Sequence, residues 1–200
     1  MPISEFCQII RGNGIQKKDF VEIGMPCVHY GQIHTVFDTV FDKVQSRISG
    51  KLYEKSKKAR TGDLIVATTS EDIKGVCKCV MWNGAEEIAV SGDSMIVRHE
   101  ENPLYLSYYF QSGHFHKQKE MLIHGTKVLR ISPDSLGEIV IALPTRCMQD
   151  EIVNILNKFR ILISDLSMGL PAEISARKKQ YEYYRDKLLS FNQVDGGSVA

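Results

Sequence analysis

Two kinds of residue in this sequence could carry out metal or nucleophilic chemistry. His114-x-His116, with His124 nearby, could be read as metal ligands, and Cys77-x-Cys79 as a thiol pair. The five cysteines (Cys7, Cys27, Cys77, Cys79 and Cys147) are odd in number and irregularly spaced, and none of the pairs has zinc-finger spacing. At i and i+2 on a strand, Cys77 and Cys79 share one face, so they read as core thiols, and the histidines read as surface residues. The sequence contains no Walker-type Gly-rich loop, and no nucleophile–base–orienter set is legible in it. We therefore expect a non-catalytic protein with no metal site and no cofactor of its own.

Chemistry toward a polyanion is better supported. The segment from Lys51 to Arg60 holds five basic residues and one acidic residue. It could neutralise phosphates, with Lys57, Lys58 and Arg60 as candidates, or it could be a solvated helix face. Gln16, Lys17, Tyr30, His34, Thr35, Thr68, Thr69, Ser70, Thr126 and Lys127 lie where loops are expected. Their amide, hydroxyl and ammonium groups suit base edges and phosphates, and Gly125 would allow close backbone approach. The net charge is only +1; residues 1–144 are balanced at zero and residues 145–191 carry a surplus of +2. Any polyanion must therefore meet a local patch rather than an overall field.

The elements that would position these residues are mixed. Short runs rich in Val and Ile and punctuated by Gly read as strands: PCVHYGQI (26–33), DLIVATT (63–69), GVCKCVMW (75–82), EIAVSG (87–92), SMIVR (94–98) and EIVIALP (138–144). Asn83-Gly84 is a turn signal that suits a hairpin between the runs at 75–82 and 87–98. Asn102 and Pro103 are a helix start, and the helix is expected to reach about Met121, with Gly113 as the point of interruption. The IHGTK stretch (123–127) reads as a loop, and Ser132-Pro133 opens a short turn or helix before the last strand. The fold class is α+β: a mixed α/β body over 1–145, a helical arm over 146–192 and a flexible tail over 193–200.

The arm has the clearest periodicity. Apolar residues at Ile152, Leu156, Phe159, Ile163, Leu166 and Leu170 step 4-3-4-3-4, which is a heptad seam. Ile174 follows after a second step of 4, a stutter that unwinds a supercoil. The seam resumes at Arg177, Tyr181, Tyr184, Leu188 and Phe191. Gly169 and Pro171 sit at the stutter, so the arm is one kinked helix or two helices. A continuous helix over 148–191 would span roughly 65 Å, too long to hide its seam on the body, so an antiparallel coiled coil with another helix is expected. A hairpin folding on itself at Gly169-Leu170-Pro171 is the alternative. Tyr181, Tyr183 and Tyr184 beside Arg177, Lys178 and Lys179 mimic a stacking surface for nucleic acid, but the heptad assigns Tyr181 and Tyr184 to helix packing.

At 200 residues and 43% hydrophobic, the chain is long enough to bury a core. The start, MPISEFCQIIRGNG, has no uninterrupted apolar stretch, and no run approaches the ~20 apolar residues of a membrane helix. A cytoplasmic protein with reduced thiols and no membrane partner is expected.

The order of the pieces resembles the DNA specificity subunit of type I restriction–modification systems. IIRGNGIQKKDFVEIGMPCVHYGQIHT (9–35) is similar to the family's opening, GDLIVATTSEDIKGV (62–76) to its central strand and loop, and HGTKVLRISPDSLGEIVIALP (124–144) to its Gly-Thr loop and closing strand. MQDEIVNILNKF (148–159) and GLPAEISARKKQYEYYRDKLLSF (169–191) are similar to its helical conserved region, and the last is the most specific match. The resemblance runs from about residue 4 to 191 and covers one target-recognition domain and one conserved region where the family typically has two of each. It implies a half-subunit or a fragment. The implied partners are double-stranded DNA, a second copy of the chain, DNA-adenine methyltransferase (modification) subunits and a restriction/translocase subunit. S-adenosylmethionine, ATP and Mg would belong to those partners. The resemblance further implies that two copies read a bipartite, palindromic target. A protein–protein adaptor with a coiled-coil arm is the reading from another class.

Overall fold

The computed structural model describes residues 1–165 and 171–190. It divides into two compact units, Met1–Ile141 and Ala142–Ala200. The first unit opens with α1 (Ile3–Phe6) and β1 (Cys7–Arg11), then a 3-10 turn (Lys17–Asp19), β2 (Phe20–Val21), β3 (Met25–Val28) and α2 (Tyr30–Thr35). Next come β4 (Val40–Phe41), β5 (Ser46–Ile48), α3 (Gly50–Lys55), β6 (Lys58–Ala59), β7 (Leu64–Ala67) and β8 (Thr69–Ser70). The remainder is β9 (Cys79–Trp82), β10 (Ile88–Val90), β11 (Ser94–His99), α4 (Pro103–Phe110), α5 (Gly113–Leu122), β12 (Leu129–Arg130) and α6 (Pro133–Glu138).

The strands form two five-stranded sheets, β1-β11-β7-β9-β4 and β2-β5-β3-β10-β6, and a two-stranded ribbon, β12-β8. Strand alternation explains how the sheets share one core. Ile65, Ala67, Val80, Trp82 and Ile96 project from the first sheet onto Val28, Ala59, Ile88 and Val90 of the second, with Ile33 and Phe37 closing the cluster. The opposite face of the second sheet carries Cys27, Ile48 and Ala89, covered by Tyr53 and Leu52 of α3. α4 packs on β9. Strands β7 and β9 are therefore buried on both faces, which is why they read as continuous apolar runs rather than alternating ones.

Three expectations need correction. The run at 26–33 is a strand only to Val28; its Tyr-Gly-x-Ile part is helix α2, because His29 caps it, Nδ1 accepting from the Gly31 N–H at 3.2 Å while Gln32 Oε1 accepts from the His29 N–H at 2.9 Å. The runs on either side of Asn83-Gly84 do not form a hairpin. β9 pairs with β7 and β4, and β10 pairs with β3 and β6, so this turn carries the chain from one sheet to the other. Its glycine is required by the Trp82 ring, which lies 2.1 Å from where a Gly84 Cβ would stand. The run at 138–144 is not a strand: Ile139 and Ile141 are buried, but its ladder shrinks to one bridge, Pro2 to Val140. The helix from Pro103 breaks at Gln111, and Ser112 caps a second one by accepting from the Phe115 N–H at 3.2 Å.

The second unit contains α7 (Arg146–Asp165) and α8 (Pro171–Leu188), which pack on each other. Phe159 stacks on Tyr184 with ring centroids 5.5 Å apart. Along one continuous helix these residues would be roughly 37 Å apart, so the arm is two helices. Ile152 and Leu156 are buried, Phe159, Tyr181 and Leu188 are half-buried, and Tyr184 is exposed. Arg177, the charged seam residue, pairs along its own helix with Glu173 at 2.9 Å. The seam positions Leu166 and Leu170, the turn at Gly169, Phe191 and the tail lie outside the described residues, as do the side chains of Ile163 and Ile174. Among the described residues, no helix is long and apolar enough to cross a membrane.

Candidate nucleic-acid interface

The β8–β12 ribbon borders an open surface of the first unit. Leu129 and Arg130 pair with Ser70 and Thr69, and His124 bridges back to Arg130 through two backbone hydrogen bonds of 2.9 and 2.8 Å. The loop at 125–128 is thus the tip of a small β-turnback, and all four of its residues are exposed. Gly125 allows this tip: its φ is +110°, and a Cβ there would lie 2.2 Å from the Val128 carbonyl oxygen.

Beside the ribbon runs a groove of about 710 Å³. It is lined by Tyr30, His34 and Thr35 of α2, by Thr69 and Ser70, by Glu71, Asp72, Lys74 and Lys78, and by Val128 from the tip. His34 Nε2 sits 3.1 Å from the Thr69 carbonyl oxygen, and Lys78 Nζ donates to the His34 carbonyl at 3.0 Å, so the helix and both flanking segments are held in register. Asp72 is spent in its own turn, where Oδ1 accepts from the Gly75 N–H at 2.5 Å. From behind, the fully buried Lys119 donates to the carbonyls of Lys74 (3.1 Å) and Val76 (2.5 Å). Burial lowers its pKa, opposed by Cys77, Glu120 and Asp72. The groove thus offers hydroxyls, an imidazole and two ammonium groups beside two carboxylates, a mixed polar lining that can meet bases and phosphates.

The sequence-predicted residues separate. Tyr30, His34, Thr35, Thr69 and Ser70 converge on the groove, and Gly125, Thr126 and Lys127 sit on the adjacent tip. Exposed Gln16 and Lys17 belong to the 3-10 turn, and Lys17 is close enough to His29, next to Tyr30, to help lower that imidazole's pKa, after burial and against Asp93. Thr68 is buried and faces a different pocket. Lys57, Lys58 and Arg60 are elsewhere, on and around β6: Lys58 lies 4.8 Å from the Tyr53 ring centroid and Arg60 pairs with Glu87 at 2.9 Å. Sequence reasoning missed Lys74 and Lys78. Their signal was their place in the loop after DLIVATT, which the search for dense charge passed over.

The candidate metal and thiol residues do not assemble. His114 is exposed, His116 shares a small pocket with Cys77 and Cys79, and His124 lines another pocket. Among the described residues, no cluster of three or more His, Cys, Asp or Glu side chains is placed to hold a metal ion. Burial pushes the Cys77 thiol up to about 12, and Cys79 upward as well. Cys79 is on β9 but Cys77 precedes it with φ +61°, so the expected shared strand face is absent.

Comparison with known proteins decides the kinship. A putative type I restriction enzyme specificity subunit from Haemophilus influenzae is 27% identical over 155 residues, covering 75% of this chain and 38% of that protein. The EcoR124I/EcoR124II specificity subunit of Escherichia coli is 46% identical over 67 residues, 34% of this chain and 17% of that one. The chain is thus similar to the specificity subunits of type I restriction–modification systems over three quarters of its length. No family model matches it. The crystal structure of the HsdS subunit from Thermoanaerobacter tengcongensis superposes with a TM-score of 0.63 at 16% identity, covering 94% of this chain and 44% of that one. As a specificity-subunit relative, the chain thus spans less than half the length of the proteins it matches.

Proposed function

We propose that this chain is a non-catalytic, sequence-specific DNA recognition component of a type I restriction–modification complex. The groove beside α2 and the tip at 125–128 carry this reading: they place His34, Ser70, Thr126 and Lys127 along one open surface that also carries Lys74 and Lys78. A two-stranded ribbon is narrow enough for the major groove of B-DNA. The first unit then reads a half-site, and the helical arm joins it to a second reading unit, supplied by another copy through antiparallel arm pairing. Two-fold symmetry makes the target bipartite and palindromic. Methyltransferase and restriction subunits dock on the assembly and bring S-adenosylmethionine, ATP and Mg.

The arm supports pairing by a stripe next to the expected seam. Ile152 and Leu156 are already buried within one chain, whereas Met148, Ile155 and Leu162, seven residues apart, remain exposed along α7. In light scattering at micromolar concentration the full chain should give about twice its 22.6 kDa mass, and Ile155→Asp with Leu162→Asp should return it to one chain mass without unfolding. A monomeric wild type would contradict pairing. Gel shifts of duplex DNA with a modification subunit present should show a shifted band, and none would favour the adaptor reading.

A further inference from the structure

On the far side of Thr69 from the groove lies a second pocket, of about 250 Å³. Arg11, Arg130 and His124 line it with Thr68, Thr69 and Asp93. These residues come from three places: Arg11 ends β1, an edge strand; Arg130 lies on β12; and the threonines flank the start of β8. Arg11 is held in place from behind. Its Nε donates to the Gly92 carbonyl at 3.3 Å, and the next residue, Gly12, runs so close to the chain that a Cβ would lie 2.1 Å from the Ser91 carbonyl oxygen. Two guanidiniums against one carboxylate leave a surplus of one positive charge. Planar guanidinium forks and hydroxyls are the groups that hold a tetrahedral oxyanion. The ribbon that walls the pocket also carries the tip at 125–128, so an anion here would be fixed relative to the residues proposed to read bases.

We propose that this pocket clamps one backbone phosphodiester of the bound DNA, through Arg11 and Arg130, and so sets the register in which the tip and the groove meet the bases. The clamp rests on the DNA-recognition reading above and adds a sequence-independent contact to it. Phosphate contacts position a protein without reading sequence.

The test is a salt titration of the full chain, with a modification subunit present, binding a labelled mixed-sequence duplex, followed by fluorescence anisotropy. Arg130→Gln and Arg11→Gln should each weaken binding by roughly three- to tenfold at low salt, and the two together should make the slope of log K against log salt shallower by about 0.9, the increment for one phosphate contact. Arg130→Lys keeps the charge and should keep the slope. Both arginines are exposed, so thermal melts of the variants should match wild type. An unchanged slope in the double glutamine variant, with wild type binding DNA, overturns the clamp and leaves the recognition reading standing. Absence of binding by wild type at low salt overturns both. Stoichiometric binding of inorganic phosphate with an unchanged DNA slope would assign the pocket to a free anion and overturn the clamp.

Discussion

Between residues 51 and 60 the chain concentrates five cations, and folding gives two of them partners. Lys51 and Lys55 go to α3, Lys58 lies over the Tyr53 ring, and Arg60 pairs with Glu87 while its N–H is held by Asp63 at 2.8 Å. The groove beside β8 is the reverse case. Its cations and hydroxyls come from α2, from the 69–78 stretch and, at its border, from the 125–128 tip, none of them dense in positive charge, and the fold brings them together. Charge density along a chain is therefore a poor guide to a patch in space. What made the groove is a hydrogen-bond network: buried Lys119 behind the turn, and half-buried Lys78 on the end of α2 and His34 on β8.

That contrast can be broken most forcefully from behind. Lys119→Met would leave the carbonyls of Lys74 and Val76 without their buried donor, and it should cost about 2 kcal/mol or more of stability in denaturant unfolding. Hydrogen exchange should rise in the 71–77 turn and stay unchanged in β6. If Lys119→Met melts like wild type, the turn is not held by this lysine.

The surfaces themselves come next. Lys127→Glu and Lys74→Glu should each weaken duplex binding about tenfold, equivalent to about 1.4 kcal/mol. Lys57→Gln and Arg60→Gln should change binding by less than about threefold. Because the Arg60–Glu87 pair is exposed, its loss should move stability by less than about 1 kcal/mol. Equal losses at the two surfaces would mean that the basic segment also lies against DNA.

The smallest effect distinguishes the two regions by pH. His29 caps α2, and burial, then Lys17, lowers its pKa from 6.5, against the pull of Asp93. The folded state therefore binds fewer protons at this site than the unfolded chain. The contribution is fully present above about pH 6.5 and is lost as pH falls below it toward the lowered folded value. His29→Gln, which keeps an acceptor at the cap, should flatten this part of the stability profile, and an unchanged profile would remove His29 as its source.

Much of the strand content was legible because β7, β9, β10 and β11 are apolar and bounded by Gly or Asp. Asn102-Pro103 and Ser132-Pro133 announced helices through their caps. Sheet assignment was not legible: nothing in the sequence near Asn83-Gly84 says that the next strand joins the other sheet, because partner choice is made by the shared core. The helix at Tyr30 was hidden by a β-like run, since its cap is a histidine rather than Ser, Thr, Asp or Asn. In the candidate interface, residues near loops such as His34, Thr69 and Thr126 could be picked by chemistry alone. Lys74, Lys78, Arg11 and Arg130 could not, because they become neighbours only when separate segments are folded together. The heptad of the arm was plain, but which side of it one chain would use for itself was not: Ile152 and Leu156 are consumed and Ile155 and Leu162 are left.

The most direct test of the claim that the groove and tip read bases is methylome sequencing of cells expressing the chain with a cognate modification subunit. Wild type should yield one bipartite motif. His34→Ala and Thr126→Ala should relax it at discrete positions, while Lys57→Gln and Arg60→Gln should leave it intact. A motif untouched by the groove and tip variants but altered by Lys57→Gln or Arg60→Gln would contradict the account.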